Sequence, residues 1–183
     1  MASNWSPKLA KELDPAWGPF LFDTSAESWL ERHAGQAPVR EWLDSYLARH
    51  EMQLSAITVL ERVRGYARLG RRSERAAYLS TLGRVWPVDT GVALATAEVL
   101  ALVPEPPSPG KRTHRMVESR AGRMSRWRFD AMIACTALVT GLPLVHNNAA
   151  DFEAVRTAIE LSPERFPGVG SLSLIRVARV LES

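Results

Sequence analysis

Pro19-Phe20-Leu21-Phe22-Asp23-Thr24-Ser25 is the stretch that decides the architecture. A short apolar run ends in a carboxylate, and two hydroxyl residues follow at once. The length of that run and its abrupt polar stop predict a buried strand over about 19–22, with Asp23 at its carboxyl end. Helical periodicity follows from about 26 and breaks at Gly35-Gln36-Ala37-Pro38. It resumes with Val39, Trp42, Leu43, Tyr46 and Leu47, an i, i+3, i+4, i+7, i+8 pattern with one core face. A second strand is expected near 52–54, and Ser55 is placed to cap a helix over 56–69. Further on, the pattern predicts a helix at 73–83, a strand near 85–88 and a helix at 90–102. The proline-rich segment 103–113 forbids regular helix and reads as an extended, solvated loop. A basic helix and a separate helix at 129–140 come next, stopped by Gly141 and Pro143. A strand at 142–146, a helix at about 151–160 and a strand near 172–177 complete the series. Five strands separated by helices predict an α/β fold, a parallel sheet covered on both faces.

In such sheets the ligand crevice lies beyond the carboxyl ends of the strands. Asp23 ends the first strand, Asp151 follows the fourth, and Asp130 is expected to open the helix that leads into the fourth. Glu61 sits about two turns into the helix after the second strand and projects across the sheet end. If the first and fourth strands are neighbours, these carboxylates meet. Four that converge repel one another unless a cation joins them. The set therefore points to a divalent metal and to metal-assisted phosphodiester chemistry. Each acid also has a plainer reading. Asp23, Asp130 and Asp151 suit helix caps, and Glu61 suits an exposed pair with Arg64 or Arg68.

The 183 residues suit one domain, with 46% hydrophobic and 23% charged residues. The single cysteine, Cys135, excludes an intramolecular disulfide framework and a Cys-rich zinc site, and it lies in an apolar run as a small hydrophobe does. No secretory signal precedes residue 19, and no stretch approaches the length of a membrane span, so a cytoplasmic protein without membrane contact is expected. The net charge of +3 is unevenly spread. Residues 1–61 hold nine acids against five Lys and Arg, whereas residues 62–183 hold eleven against eighteen. Arg62 and Arg64 adjoin Glu61, and Arg126 and Arg128 adjoin Asp130, which makes them candidate phosphate contacts. Trp127, between two arginines, suits either the core or stacking on a base. Ser25 stands where a haloacid-dehalogenase-like phosphatase needs a second Asp, and no glycine fingerprint supports a nucleotide loop.

With the acids in place, the chain resembles the PIN-domain nucleases. Phe22-Asp23-Thr24-Ser25-Ala26 is similar to their first motif, and the run from Ser55 to Gly65, with Glu61 shortly before Gly65, to their second. The run from Phe129 to Ala137, with Asp130, resembles the third, and that from Leu142 to Phe152, with Asp151, resembles the fourth. The last two most resemble the VapC-type toxin branch. The resemblance implies a three-layer α/β/α domain over 19–183 after an N-terminal extension, 1–18, with a five-stranded parallel sheet in the order 3-2-1-4-5. It implies an Mg²⁺- or Mn²⁺-dependent endoribonuclease, the toxin of a toxin–antitoxin pair, with RNA as substrate, a cognate antitoxin and a homodimer. Asp23 and Asp130 would be direct metal ligands. Glu61 and Asp151 would orient metal-bound water or hold a second ion. Thr24, Ser25 and Asn148 would support them. His146 and Asn147 depart from the branch, which usually has Thr or Ser and then a basic residue there. His146 is thus a candidate RNA contact or a packing residue. The altered turn also permits the alternative function, a catalytically inactive PIN fold that binds RNA or protein.

Overall fold

A computed structural model describes residues 13–107 and 117–177. Five short strands, β1 (Leu21–Phe22), β2 (Gln53–Ser55), β3 (Arg84–Trp86), β4 (Leu144–His146) and β5 (Leu174–Arg176), form one sheet in the order β3-β2-β1-β4-β5. Every pairing is parallel, with Leu21 opposite Gln53 on one side and Leu144 on the other. The order is the expected one, and it makes β1 and β4 neighbours.

Alternation along the strands explains why both faces are covered. Leu21 and Leu144 belong to one core with helices α5 (Thr90–Leu102), α6 (Arg120–Thr140) and α7 (Ala149–Leu161). Phe22, Leu54, Val145 and Ile175 belong to a second core with α1 (Thr24–His33) and α2 (Ala37–Leu47). Helices α3 (Ala56–Arg68) and α4 (Arg72–Ser80) complete the α/β/α sandwich. Among the described residues no helix is long and apolar enough to cross a membrane.

Two expectations need correction. The break expected at Gly35-Gln36-Ala37-Pro38 is present but shorter, at 34–36 between α1 and α2, and Ala37-Pro38 opens α2, since proline suits a first turn whose N–H groups lack partners anyway. The basic helix and the helix at 129–140 are one element of 21 residues. Ser119 caps it, its Oγ accepting from Gly122 N at 3.1 Å, and no breaker intervenes before Gly141, whose φ of 69° suits the left-handed cap. Asp130 therefore lies in mid-helix and caps nothing. Much of the proline-rich loop falls at 108–116, outside the described residues.

The described residues ahead of β1 pack into the second core. Leu13 is 1% exposed, its carbonyl accepts the Trp42 indole N–H at 2.7 Å, and the turn Pro15–Trp17 contacts α2. Beneath it, Trp42, Tyr46, Phe20 and Phe22 stack and interlock edge to face. Truncating a buried leucine costs about 2–5 kcal/mol. Leu13→Ala is expected to lose stability in that range in urea titration, and a loss below about 0.5 kcal/mol would show that the segment merely rests on the surface.

Candidate metal and phosphate site

Four elements deliver the four acids to one pocket. Asp23 follows β1, Glu61 comes from α3, Asp130 from the middle of α6, and Asp151 from the first turn of α7. Thr24, Ser25, Ser28, Arg32, Arg126, Asn147 and Asn148 complete the lining of a cavity of about 600 Å³. Asp23, Asp130 and Asp151 are only 2%, 7% and 1% exposed, so they form its floor.

Neutral donors hold each acid. The Asp23 carboxylate accepts from Ala26 N at 2.7 Å, which caps α1, and from the Ser25 hydroxyl at 3.0 and 2.8 Å. That hydroxyl in turn accepts from Asn147 N at 2.9 Å, tying Asp23 to the turn after β4. Thr24 Oγ1 donates to Glu61 rather than to Asp23. The Asn148 amide donates to Asp130 at 3.1 Å and to Asp151 at 2.7 Å, bridging two carboxylates.

The electrostatics record the crowding. Burial pushes the Asp23 carboxyl up to about 7, against the pull of the Ala26 and Ser25 donors, and the Glu61 charge adds to the rise. Asp130 is pushed up to about 9, first by burial, then by Asp151 and Asp23. Without a counter-charge such a floor cannot stay fully ionised. The donors are all oxygens, which suits a hard cation such as Mg²⁺ or Mn²⁺ and no soft one. Among the described residues, no three Asp, Glu, His or Cys groups stand close enough to ligate one ion together. Magnesium asks for less: it keeps several waters and takes one or two carboxylates directly. The residues present fit a largely hydrated divalent ion.

The basic candidates part company. Arg126 lines the pocket. Arg62 does not. Its guanidinium turns between α1 and α4, at 3.3 Å from Glu27, against Glu31, at 3.1 Å from Ser28 Oγ, and over the rings of Tyr66 and Tyr78. Arg62 and Glu27 side chains are each 14% exposed, so this pair is spent inside the fold. Arg64 and Arg128 are exposed on α3 and α6, outside the pocket lining. Trp127 is fully buried and donates to Val103 O, so it belongs to the core.

His146 also lies outside the lining. Alternation along β4 turns its ring onto Phe152 of α7, edge to face with centroids 5.1 Å apart. It is 3% exposed, and burial lowers its pKa to about 4, so the ring is neutral packing at physiological pH.

Sequence reading missed Ser28 and Arg32 as lining residues. The signal was present: Thr24, Ser28 and Arg32 stand at i, i+4 and i+8, one polar stripe along α1 that begins beside Asp23.

The PIN domain family matches residues 20–158, a span that contains all four acids. No curated protein matches the chain. A chain of the DNA-bound VapBC structure from Salmonella typhimurium is 24% identical, with a TM-score of 0.54, covering 86% of this chain and 96% of that one. A chain of FitAB bound to an IR36 DNA fragment is 23% identical at a TM-score of 0.52, over 86% and 94%. One of FitAcB from Neisseria gonorrhoeae is 26% identical at 0.51, over 75% and 93%. With the family match spanning most of its length and the expected sheet order in place, the chain belongs to the PIN-domain family.

Proposed function

We propose that this chain is an Mg²⁺- or Mn²⁺-dependent endoribonuclease, of the VapC type, that hydrolyses RNA phosphodiester bonds as the toxin of a toxin–antitoxin pair. The observation that carries the reading is the convergence of Asp23, Glu61, Asp130 and Asp151, from four separate elements, on the lining of one cavity. Asp23 and Asp130 would hold the ion. When bound, it supplies charge neutralisation at the phosphate and acidifies water. Glu61 and Asp151 would orient the attacking water. Thr24, Ser25 and Asn148 keep the four carboxylates from rotating away, since each donates to at least one of them. An acidic floor alone repels a polyanion, so Arg32 and Arg126 at the lining would supply the attraction.

A cognate antitoxin enters the proposal because the similar folds occur in VapBC and FitAB complexes. A second copy of the chain enters because α5 leaves Ala93, Leu94, Ala97 and Ala101 exposed, an apolar face on a helix that is already apolar within.

The test is cleavage of total cellular RNA by the purified protein with Mg²⁺, with Mn²⁺ and with EDTA, beside Asp23→Asn. Discrete fragments are expected with either metal and none with EDTA or the variant. RNA binding by a folded, inhibitor-free protein that never cuts would replace this reading by that of a PIN-fold binding module.

A further inference from the structure

The two arginines of the pocket are held differently. Arg32, in the last turn of α1, is exposed. Arg126 is tethered: its Nη1 lies 2.8 Å from Glu118 Oε2, with the two side chains only 16% and 20% exposed. Glu118 is not part of α6. It precedes the capping residue Ser119, and its side chain folds back past the first turn to reach Arg126, eight residues on.

The path of that side chain runs over Gly122. A Cβ there would come within 3.3 Å of Glu118 Cγ and 3.6 Å of its Oε1. Glycine is a poor choice for the first turn of a helix. At this position it leaves the space in which the Glu118 carboxylate lies against the helix. Glu118 itself lines no part of the pocket, but it is paired with Arg126, which does.

A guanidinium offers a planar fork that fits a carboxylate and a phosphate in the same way. Partly buried pairs are weakly screened by salt, so Arg126 is not freed by solvent alone. We propose that Arg126 is a phosphate-contacting residue of the pocket and that Glu118 is a built-in competitor, occupying its fork until a backbone phosphate of the RNA takes its place. The inference rests on the reading of the pocket as an RNA site. Arg126 is then an affinity-determining and positioning contact. Glu118 acts through it, setting how much phosphate density a ligand must bring before it seats.

The test separates binding from cleavage. Anisotropy of a short fluorescein-labelled oligouridylate is measured in EDTA with the full chain, Glu118→Gln, Arg126→Ala, the double variant and Glu41→Gln. Glu41 is an exposed acid on α2, outside the pocket, and controls for the loss of one negative charge. Glu118→Gln is expected to bind about three- to tenfold tighter at low salt, with a log–log salt slope steeper by about one. Glu41→Gln changes binding less than about twofold. Arg126→Ala weakens it, and adding Glu118→Gln to that background restores nothing. Arg126→Gln replaces the alanine variant should the latter unfold. A gain in Glu118→Gln no larger than in Glu41→Gln, a gain that persists without Arg126, or no binding by any form overturns the proposal. Tightening as expected without metal-dependent cleavage leaves this proposal standing and removes the nuclease.

Discussion

Asp130→Asn is expected to raise the melting temperature and abolish RNA cleavage together. Asp130 lies 7% exposed, with its carboxyl pushed up first by burial and then by the Asp151 and Asp23 charges. A neutral amide of the same shape removes that repulsion, and its oxygen can still accept from Asn148. Relief of about 1 kcal/mol would move the midpoint upward by about 2–4 °C in a chain of this size. The same substitution deletes one of the two carboxylates proposed to hold the ion. Removing a preorganised electrostatic group from an active site typically costs on the order of 10² to 10³ in rate. Opposite signs for stability and activity are the mark of a site kept under strain for its chemistry. Calorimetry and the RNA assay on one preparation would check both. A variant that melts earlier and still cuts would show that Asp130 is a structural carboxylate.

Arg62→Met should behave in the reverse manner, with a large loss of stability that acid repairs. The methionine keeps much of the apolar stem beside Tyr66 and Tyr78 and removes the guanidinium, with its charge and its hydrogen bonds to Ser28 and Tyr66. Glu27 is then left without its cation, and breaking a buried pair from one side costs about 3–5 kcal/mol. Burial already pushes the Glu27 carboxyl up to about 7, with Arg62 pulling it down. The folded pKa therefore stands above the unfolded one. The folded chain holds the extra proton between pH 4.5 and about 7, so stability falls as pH rises through that window. Without Arg62 the window extends upward. The variant is expected to lag the parent most at pH 8 and to approach it near pH 5, and Glu27→Leu in the same chain should recover most of the deficit. Denaturation midpoints across that range decide it, and a deficit independent of pH would place the cost in packing.

The five strands and the site acids were legible because each had a local signature. Short apolar runs end in Asp23 or His146, and Ser55 and Gly141 mark helix limits by their own chemistry. Asp23 could be placed at a strand end from its neighbours alone. Where a basic side chain points could not be read that way. Arg62 is one residue from Glu61, yet a helix turns about 100° per residue, so the two face different partners. The acids that capture Arg62 lie some thirty positions earlier, on α1. His146 likewise depends on α7 folding back over β4. The break placed before residue 129 failed for a different reason. A change from basic to apolar composition marks a change of surroundings, and α6 passes from rim to core without leaving its hydrogen-bond ladder.

The match to the PIN domain begins at residue 20 and ends at 158, whereas Leu13, Phe166, Leu172, Ile175 and Val177 all lie in the two cores. What is inherited as a recognisable unit and what folds as one are thus different lengths of chain. The shared segment carries the acids. The flanks close the hydrophobic seams on either side of it. Relatives of this chain can then be expected to differ most in how these flanks are built, and to keep the same floor of carboxylates beneath them.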